Sequence, residues 1–395
     1  MWTYRSPPKI VFGEDAINEL EILSGRKAII ISDREINRLS FVEKVENKLD
    51  IAGLDTEIIL DVPQEPAIED IENLLPEINE FVPDWFIAVG GGSVLDAAKA
   101  LWVRYENPNL PLEGIAPFED IITRKKARFA ALPTTSGTGS EVSWATVLTD
   151  ERGRKLELAS PAIVPDIAVV DPVFPMQMPP ELTADTGIDA LANCIEAYTS
   201  SWRNVFSDAF ALQPIPDIFH YLPQAYHAGS NVEARTKMHN AATLSGLAFG
   251  NSQAGIAHGL AHALGAVFHM PHGRTVAISL PYAVEFNLLL SEDAGGKEIV
   301  ERYATIGRLI EDTGESASKT ATSLVAKLRS LLTELDEPLA LKDVGISENK
   351  FAGELDRLVT LATESACTTT NARLAASQDL EDLFRCLFEG LPVTF

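Results

Sequence analysis

The chain has 395 residues, enough at roughly 150 residues per domain for two or three domains. Hydrophobic residues make up 46% and charged residues 23%, an ordinary globular mix and not that of a disordered or low-complexity chain. Acids outnumber bases 57 to 32, and the resulting formal charge of −25 repels phosphate backbones and anionic lipid, so neither nucleic acid nor a membrane is an expected partner.

In chain order, the opening MWTYRSPPKIVFG lacks a long apolar run after a basic start, so no signal peptide is expected. KAIIIS (Lys27–Ser32) reads as a buried strand and Phe41–Leu49 as a helix. TEIIL (Thr56–Leu60) reads as a strand and IEDIENLLPEINEF as a helix. WFIAVG (Trp85–Gly90) is a strand, SVLDAAKALWVR (Ser93–Arg104) a helix, and FAALPTT (Phe129–Thr135) and IAVVD (Ile167–Asp171) later strands. This alternation implies a mostly parallel sheet covered by helices on both faces. Past Leu182, β-branched runs nearly vanish and Ala- and Leu-rich segments of helical period dominate, so the second half reads as all-α. Pro172, Pro175, Pro179 and Pro180 interrupt any continuous helix between the halves. The expected domains are therefore an α/β domain at 1–180 and a helical domain at 181–395. Cys194, Cys367 and Cys386 are sparse and odd in number, which fits a reducing, cytoplasmic setting and not a disulfide framework.

Three features carry chemistry. GGGS (Gly90–Ser93) joins an apolar strand to an Ala-rich helix. Consecutive glycines let backbone approach a bulky anion, and the helix start offers unpaired N–H groups and the positive end of its dipole. The turn is not GxGxxG; alone it reads equally as a tight strand-to-helix connection. Asp33, at the end of the first Ile-rich strand, can accept from ribose hydroxyls and repel a 2′-phosphate, or simply cap the next helix. PTTSGTGSE (Pro133–Glu141) adds a hydroxyl- and glycine-rich loop at another strand end. The third feature is HGLAHALGAVFHMPHG, which holds four of the seven histidines. His258 and His262 share a helix face, and Pro271 and Gly273 are expected to turn the chain so that His272 comes back toward them. With a carboxylate from Asp185 or Asp189, two imidazoles form a site for Zn²⁺ or Fe²⁺.

GGGSVLDAAKA, PTTSGTGSEVS, VVDPVFPMQMPPELTADTGIDALANCIEAY and GIAHGLAHALGAVFHMPHG together resemble, in order, blocks of the iron-containing (group III) alcohol dehydrogenase family. The resemblance runs over most of the chain. It implies hydride transfer between a nicotinamide dinucleotide and a small alcohol or aldehyde. By motif, Gly91, Gly92, Ser93 and Asp96 would hold the pyrophosphate region and Asp33 the adenosine ribose, favouring NAD(H). Thr134, Thr135, Thr138, Val147 and Lys155 would lie along the nucleotide. Asp189, His258 and His272 match three metal ligands, and His262 matches the catalytic histidine beside nicotinamide and substrate. Most iron-dependent members carry a histidine where this chain has Asn193, whose amide oxygen is a weaker ligand than imidazole. Related glycerol dehydrogenases hold zinc with an aspartate and two histidines, so the metal is expected to be Fe²⁺ or Zn²⁺. His269 reads as structural, and family members are commonly dimers or larger. Two alternatives share the fold: a metal-free reductase like the maleylacetate reductases, and an NAD- and zinc-using lyase of the dehydroquinate synthase type.

Overall fold

The computed structural model describes residues 3–117, 119–151, 153–290 and 292–395. The chain forms two compact units, Met1–Met178 and Pro179–Phe395.

The strands of the first unit are β1 (Lys9–Phe12), β2 (Lys27–Ile31), β3 (Asp55–Ile59), β4 (Trp85–Gly90), β5 (Arg128–Pro133), β6 (Ala145–Thr149), β7 (Lys155–Ala159) and β8 (Ile167–Val170). Six of them pair in parallel, in the order β1-β8-β5-β4-β2-β3. Helices α1 (Arg34–Arg38), α2 (Phe41–Ala52), α3 (Ile68–Phe81) and α4 (Gly92–Glu106) connect them. Each central strand feeds both faces. Ala28, Ile30, Ile87 and Val89 pack on one side, and Ile29, Ile31, Phe86 and Ala88 on the other. That two-sided burial explains why these strands read as unbroken apolar runs. The chain leaves β2 for β3 on one side and β4 for β5 on the other, so the switch point lies between β2 and β4. Ligands of such sheets bind at the carboxyl ends of the strands flanking that point.

The sequence reading did not anticipate three elements. β1 is a four-residue strand. β6 and β7 form a separate antiparallel hairpin. β6, ATVLT, alternates polar and apolar only weakly, whereas β7, KLELA, alternates but over too few residues to stand out from a loop.

The second unit is helical throughout: α5 (Pro180–Thr199), α6 (Val205–Leu212), α7 (Pro214–His227), α8 (Val232–Phe249), α9 (Ile256–Phe268) and α10 (His272–Leu288). These are followed by α11 (Gly296–Ile310), α12 (Ala317–Glu334), α13 (Glu348–Glu364), α14 (Ala366–Thr369) and α15 (Ser377–Glu389). No described helix is long and apolar enough to cross a membrane. α5 runs through the middle, buried from Thr183 to Thr199 apart from Thr186. Its small residues admit close neighbours. A Cβ on Gly187 would lie 2.3 Å from Leu222 Cδ1 of α7, so a larger residue there would force the buried Leu222 side chain to move. A helix buried on all sides carries its polar residues only where they have partners or work to do. Asp185, Asp189, Asn193 and Glu196 are all buried on α5.

Candidate functional site

The carboxyl edge of the sheet gathers the first group of expected residues. Gly91 is the N-cap of α4 and Gly92 its first residue. A Cβ on Gly91 would lie 3.3 Å from Thr135 Cγ2, and one on Gly92 only 2.8 Å from Thr138 Cγ2, so the glycine turn and the threonine loop lie against each other. The Thr134 hydroxyl is buried and has no hydrogen-bond partner among the described residues. Buried polar atoms rarely go unpaired, so this orphan beside a glycine cradle and a helix start fits a nucleotide phosphate or ribose. Ser93 Oγ instead donates to Gln64 O at 2.5 Å.

Asp96 is engaged within the unit. Its Oδ1 accepts from Ser140 Oγ at 2.6 Å and its Oδ2 from the Val147 amide at 2.9 Å. It therefore braces the loop and the β6–β7 hairpin. Lys155 Nζ donates to Thr149 Oγ1 at 3.1 Å and pairs with Glu65 at 3.3 Å. Asp33 Oδ1 accepts from the Ile36 amide at 2.8 Å as the N-cap of α1, so one oxygen is committed to the cap. The sequence reading passed over Lys99. It is fully buried and donates to Ser140 Oγ at 2.9 Å and Ala145 O at 2.8 Å, pinning the same loop. Burial pushes its ammonium down to about 8, against the pull of Asp96 and Glu141. A lysine in an AKA stretch of a helix gives no sequence signal for this, because its face can be judged only once the fold is known.

In the second unit, α5, α9 and α10 meet. α9 ends at His269, whose φ of 55° is the left-handed cap of the turn, which fits the structural role expected of it. Pro271 is the N-cap of α10 and His272 its first residue, so α10 folds back beside α9. Gly273 is required here: a Cβ would lie 2.4 Å from the Asp185 carbonyl of α5. His258 Nε2 lies 3.2 Å and His272 Nε2 3.6 Å from the same oxygen, Asp189 Oδ1. The three ligand atoms lie within 4.8 Å of one another. Four bonds of ~2.1 Å in a tetrahedral site separate neighbouring ligand atoms by roughly 3.4 Å, so this set fits a divalent ion with little movement. Asn193 follows Asp189 by one turn and is also buried. The His262 ring stacks on His272 with centroids 5.2 Å apart and an interplanar angle of 26°.

The electrostatics favour positive charge. Burial alone would push the His258 imidazole down, but the carboxylates of Glu196 and Asp189 overcome it and raise it to about 10. Burial likewise favours neutral Asp189, yet His258 and His272 hold it well below the usual carboxylate range. Glu196 was missed by the sequence reading. Its Oε2 lies 2.5 Å from His258 Nδ1. The available signal was its position seven residues, two helical turns, beyond Asp189 on one face.

The chain is similar to known proteins over its whole length. Residues 7–172 match the family described as iron-containing alcohol dehydrogenase, and residues 183–388 match the C-terminal part of the Fe-containing alcohol dehydrogenase family. The NADPH-dependent butanol dehydrogenase of Clostridium saccharobutylicum is 38% identical over 100% of both chains. The bifunctional aldehyde-alcohol dehydrogenase of Escherichia coli is 35% identical over 95% of this chain, which spans 44% of that longer protein. The structure of an iron-containing alcohol dehydrogenase from Thermococcus thioreducens superposes with a TM-score of 0.89, at 32% identity, over 99% of this chain and 100% of that one.

Proposed function

The chain belongs to the iron-containing alcohol dehydrogenase family, and on that premise we propose that it is an NAD(H)-linked oxidoreductase of small primary alcohols and aldehydes whose divalent cation, Fe²⁺ or Zn²⁺, is held by Asp189, His258 and His272. The single observation behind this reading is the convergence of those three side chains, from three helices, on one point. A cation there supplies a Lewis acid for the alcohol or carbonyl oxygen, and a bound nicotinamide supplies the hydride acceptor or donor.

The protein's own groups do the rest. Asp189 brings buried negative charge, and Glu196 keeps the His258 Nδ1 edge occupied so that Nε2 faces Asp189. Asn193 offers an amide oxygen as an additional, weaker ligand. His262, stacked on His272, takes up the hydroxyl proton of the alcohol at a ring nitrogen and returns it in the reverse direction. The Gly91–Ser93 turn, with Thr134, Thr135 and Thr138, holds the dinucleotide, while Asp96, Val147 and Lys155 keep the loop and hairpin in place around it. Asp33 supports NAD(H) over NADP(H), because a carboxylate at the end of β2 repels a 2′-phosphate. A metal-free reductase would have no use for a carboxylate buried between two imidazoles. A homo-oligomer and a reducing, cytoplasmic setting complete the proposal; the three free thiols support the latter.

The test is metal analysis of the purified protein, paired with turnover of NADH on butanal. His258→Ala should lose the metal and lower turnover by orders of magnitude. Full turnover by the metal-stripped wild type would end this reading.

A further inference from the structure

Resting on the cation site just described, we propose that Glu196 is a positioning residue with two tasks: it caps the start of α9 and locks His258 in the tautomer that leaves Nε2 free for a metal.

The N-terminus of α9 has an unusual cap. Its N-cap residue is Gly255, which has no side chain to accept from the first-turn amides. The acceptors come from elsewhere in the unit. Glu196 Oε1, from α5, accepts from the Ala257 amide at 2.6 Å. Asn371 Oδ1, from the segment after α14, accepts from the Ile256 amide at 3.3 Å. Asn371 is itself fixed by Asn287, with Nδ2 donating to Asn287 Oδ1 at 2.7 Å. Gly255 is needed for this arrangement: a Cβ there would lie 2.8 Å from Glu196 Oε1 and 3.0 Å from Asn371 Oδ1.

The other oxygen, Glu196 Oε2, lies 2.5 Å from His258 Nδ1. A carboxylate is an acceptor only, so Nδ1 carries the hydrogen and the lone pair of the neutral ring resides on Nε2, which faces Asp189 and His272. One carboxylate thus fixes both the backbone that carries His258 and the edge of its ring. The side-chain amide that Glu196→Gln introduces cannot do both. If its oxygen keeps the Ala257 bond, its NH₂ faces Nδ1 and forces the hydrogen onto Nε2, the wrong edge for a cation.

The probe is Zn²⁺, titrated at fixed pH in competition with a chromophoric chelator, alongside the thermal midpoint of the metal-free protein. Glu196→Gln should lower the metal-free midpoint, because it removes a carboxylate paired with the buried His258, and should weaken Zn²⁺ binding by about 10- to 100-fold. Asn371→Ala, which loses the Ile256 cap and the bonds to Asn287 and the Arg373 carbonyl but no contact with His258, should lower the metal-free midpoint and leave Zn²⁺ affinity within about threefold. Glu196→Gln binding Zn²⁺ like the wild type overturns the proposal, and so does Asn371→Ala losing as much affinity as Glu196→Gln. If Glu196→Gln does not fold, Glu196→Asp decides. One methylene shorter, it cannot reach both partners, so its Zn²⁺ binding should weaken at least fivefold, and unchanged binding refutes the role. His258→Ala separates the layers: if it abolishes Zn²⁺ binding while Glu196→Gln does not, only this inference falls; if it binds Zn²⁺ normally, the cation site itself falls.

Discussion

Gly92→Ala tests the nucleotide half of the proposal. The new Cβ would lie 2.8 Å from Thr138 Cγ2 and 3.1 Å from Thr138 Oγ1. Carbon atoms pack without strain at about 3.5–4.0 Å, so the turn or the threonine must retreat by about 1 Å. Thr138 is not free to yield. Its Oγ1 accepts from the Ser140 amide at 3.3 Å, and Ser140 is bonded in turn to Asp96 and Lys99. Overpacking of this kind costs about 1–3 kcal/mol. Alanine returns up to about 1 kcal/mol of helix propensity at this position, so the fold should lose little. The nucleotide bears the strain instead, because the displaced atoms are those that would meet its phosphates. At tenfold per 1.4 kcal/mol, NADH binding should weaken by roughly 10- to 100-fold. Gly91→Ala is the internal comparison: its Cβ meets Thr135 Cγ2 at 3.3 Å, which a small shift relieves, and the loss should stay under about fivefold. Fluorescence titration of NADH reads both, with thermal midpoints to show that each variant is folded. A Gly92→Ala protein that binds NADH within twofold of the wild type would mean that the pyrophosphate is held elsewhere.

Asp33→Ser keeps a side chain able to cap α1 but removes the carboxylate. Its stability should match the wild type while the NADH-over-NADPH ratio of kcat/KM falls by about tenfold or more; an unchanged ratio would exclude Asp33 as the selector. Asp33→Ala, lacking the cap as well, should lose about 1 kcal/mol of stability in urea unfolding. Glu337 gives a pH signature. Burial and the neighbouring Asp185 push its carboxyl up to about 8, and Arg274, 3.6 Å away, offsets this only in part. The folded protein then keeps a proton that the unfolded chain releases near the ordinary value, so stability falls as pH rises toward 8, by about 1 kcal/mol per pH unit from this group. Glu337→Gln cannot ionise, and its stability should depend less steeply on pH between 5.5 and 7.5. Parallel urea midpoints for the two proteins would contradict the assignment.

Much of this was legible in the chain because the signals were local. Short apolar runs bounded by turn residues located β2, β4, β5 and β8. The helix-period pattern located α5 and α9, and the Pro271–Gly273 bracket foretold that His272 would fold back on His258. The parts that were not legible depend on distance in sequence. Lys99 looks like any helical lysine until the 140–145 loop closes over it. Asp33 reads as ribose ligand or helix cap and Asp96 as part of the pyrophosphate region, and in both the structure shows a carboxylate oxygen already accepting from the backbone.

The site itself shows why the departure at Asn193 need not disable a cation. The structure supplies order without a third imidazole at the site. Asp189 Oδ1 already faces both Nε2 atoms, and Glu196 holds the His258 ring from behind. On the proposed site, Asn193 would change selectivity. Three strong ligands suit a tetrahedral Zn²⁺ with the fourth position left for substrate, whereas iron gains more from a further imidazole. Asn193→His should therefore raise the affinity for Fe²⁺ more than that for Zn²⁺. Equal gains for both metals, measured by competitive loading of the stripped protein, would show that position 193 is not where the choice between them is made.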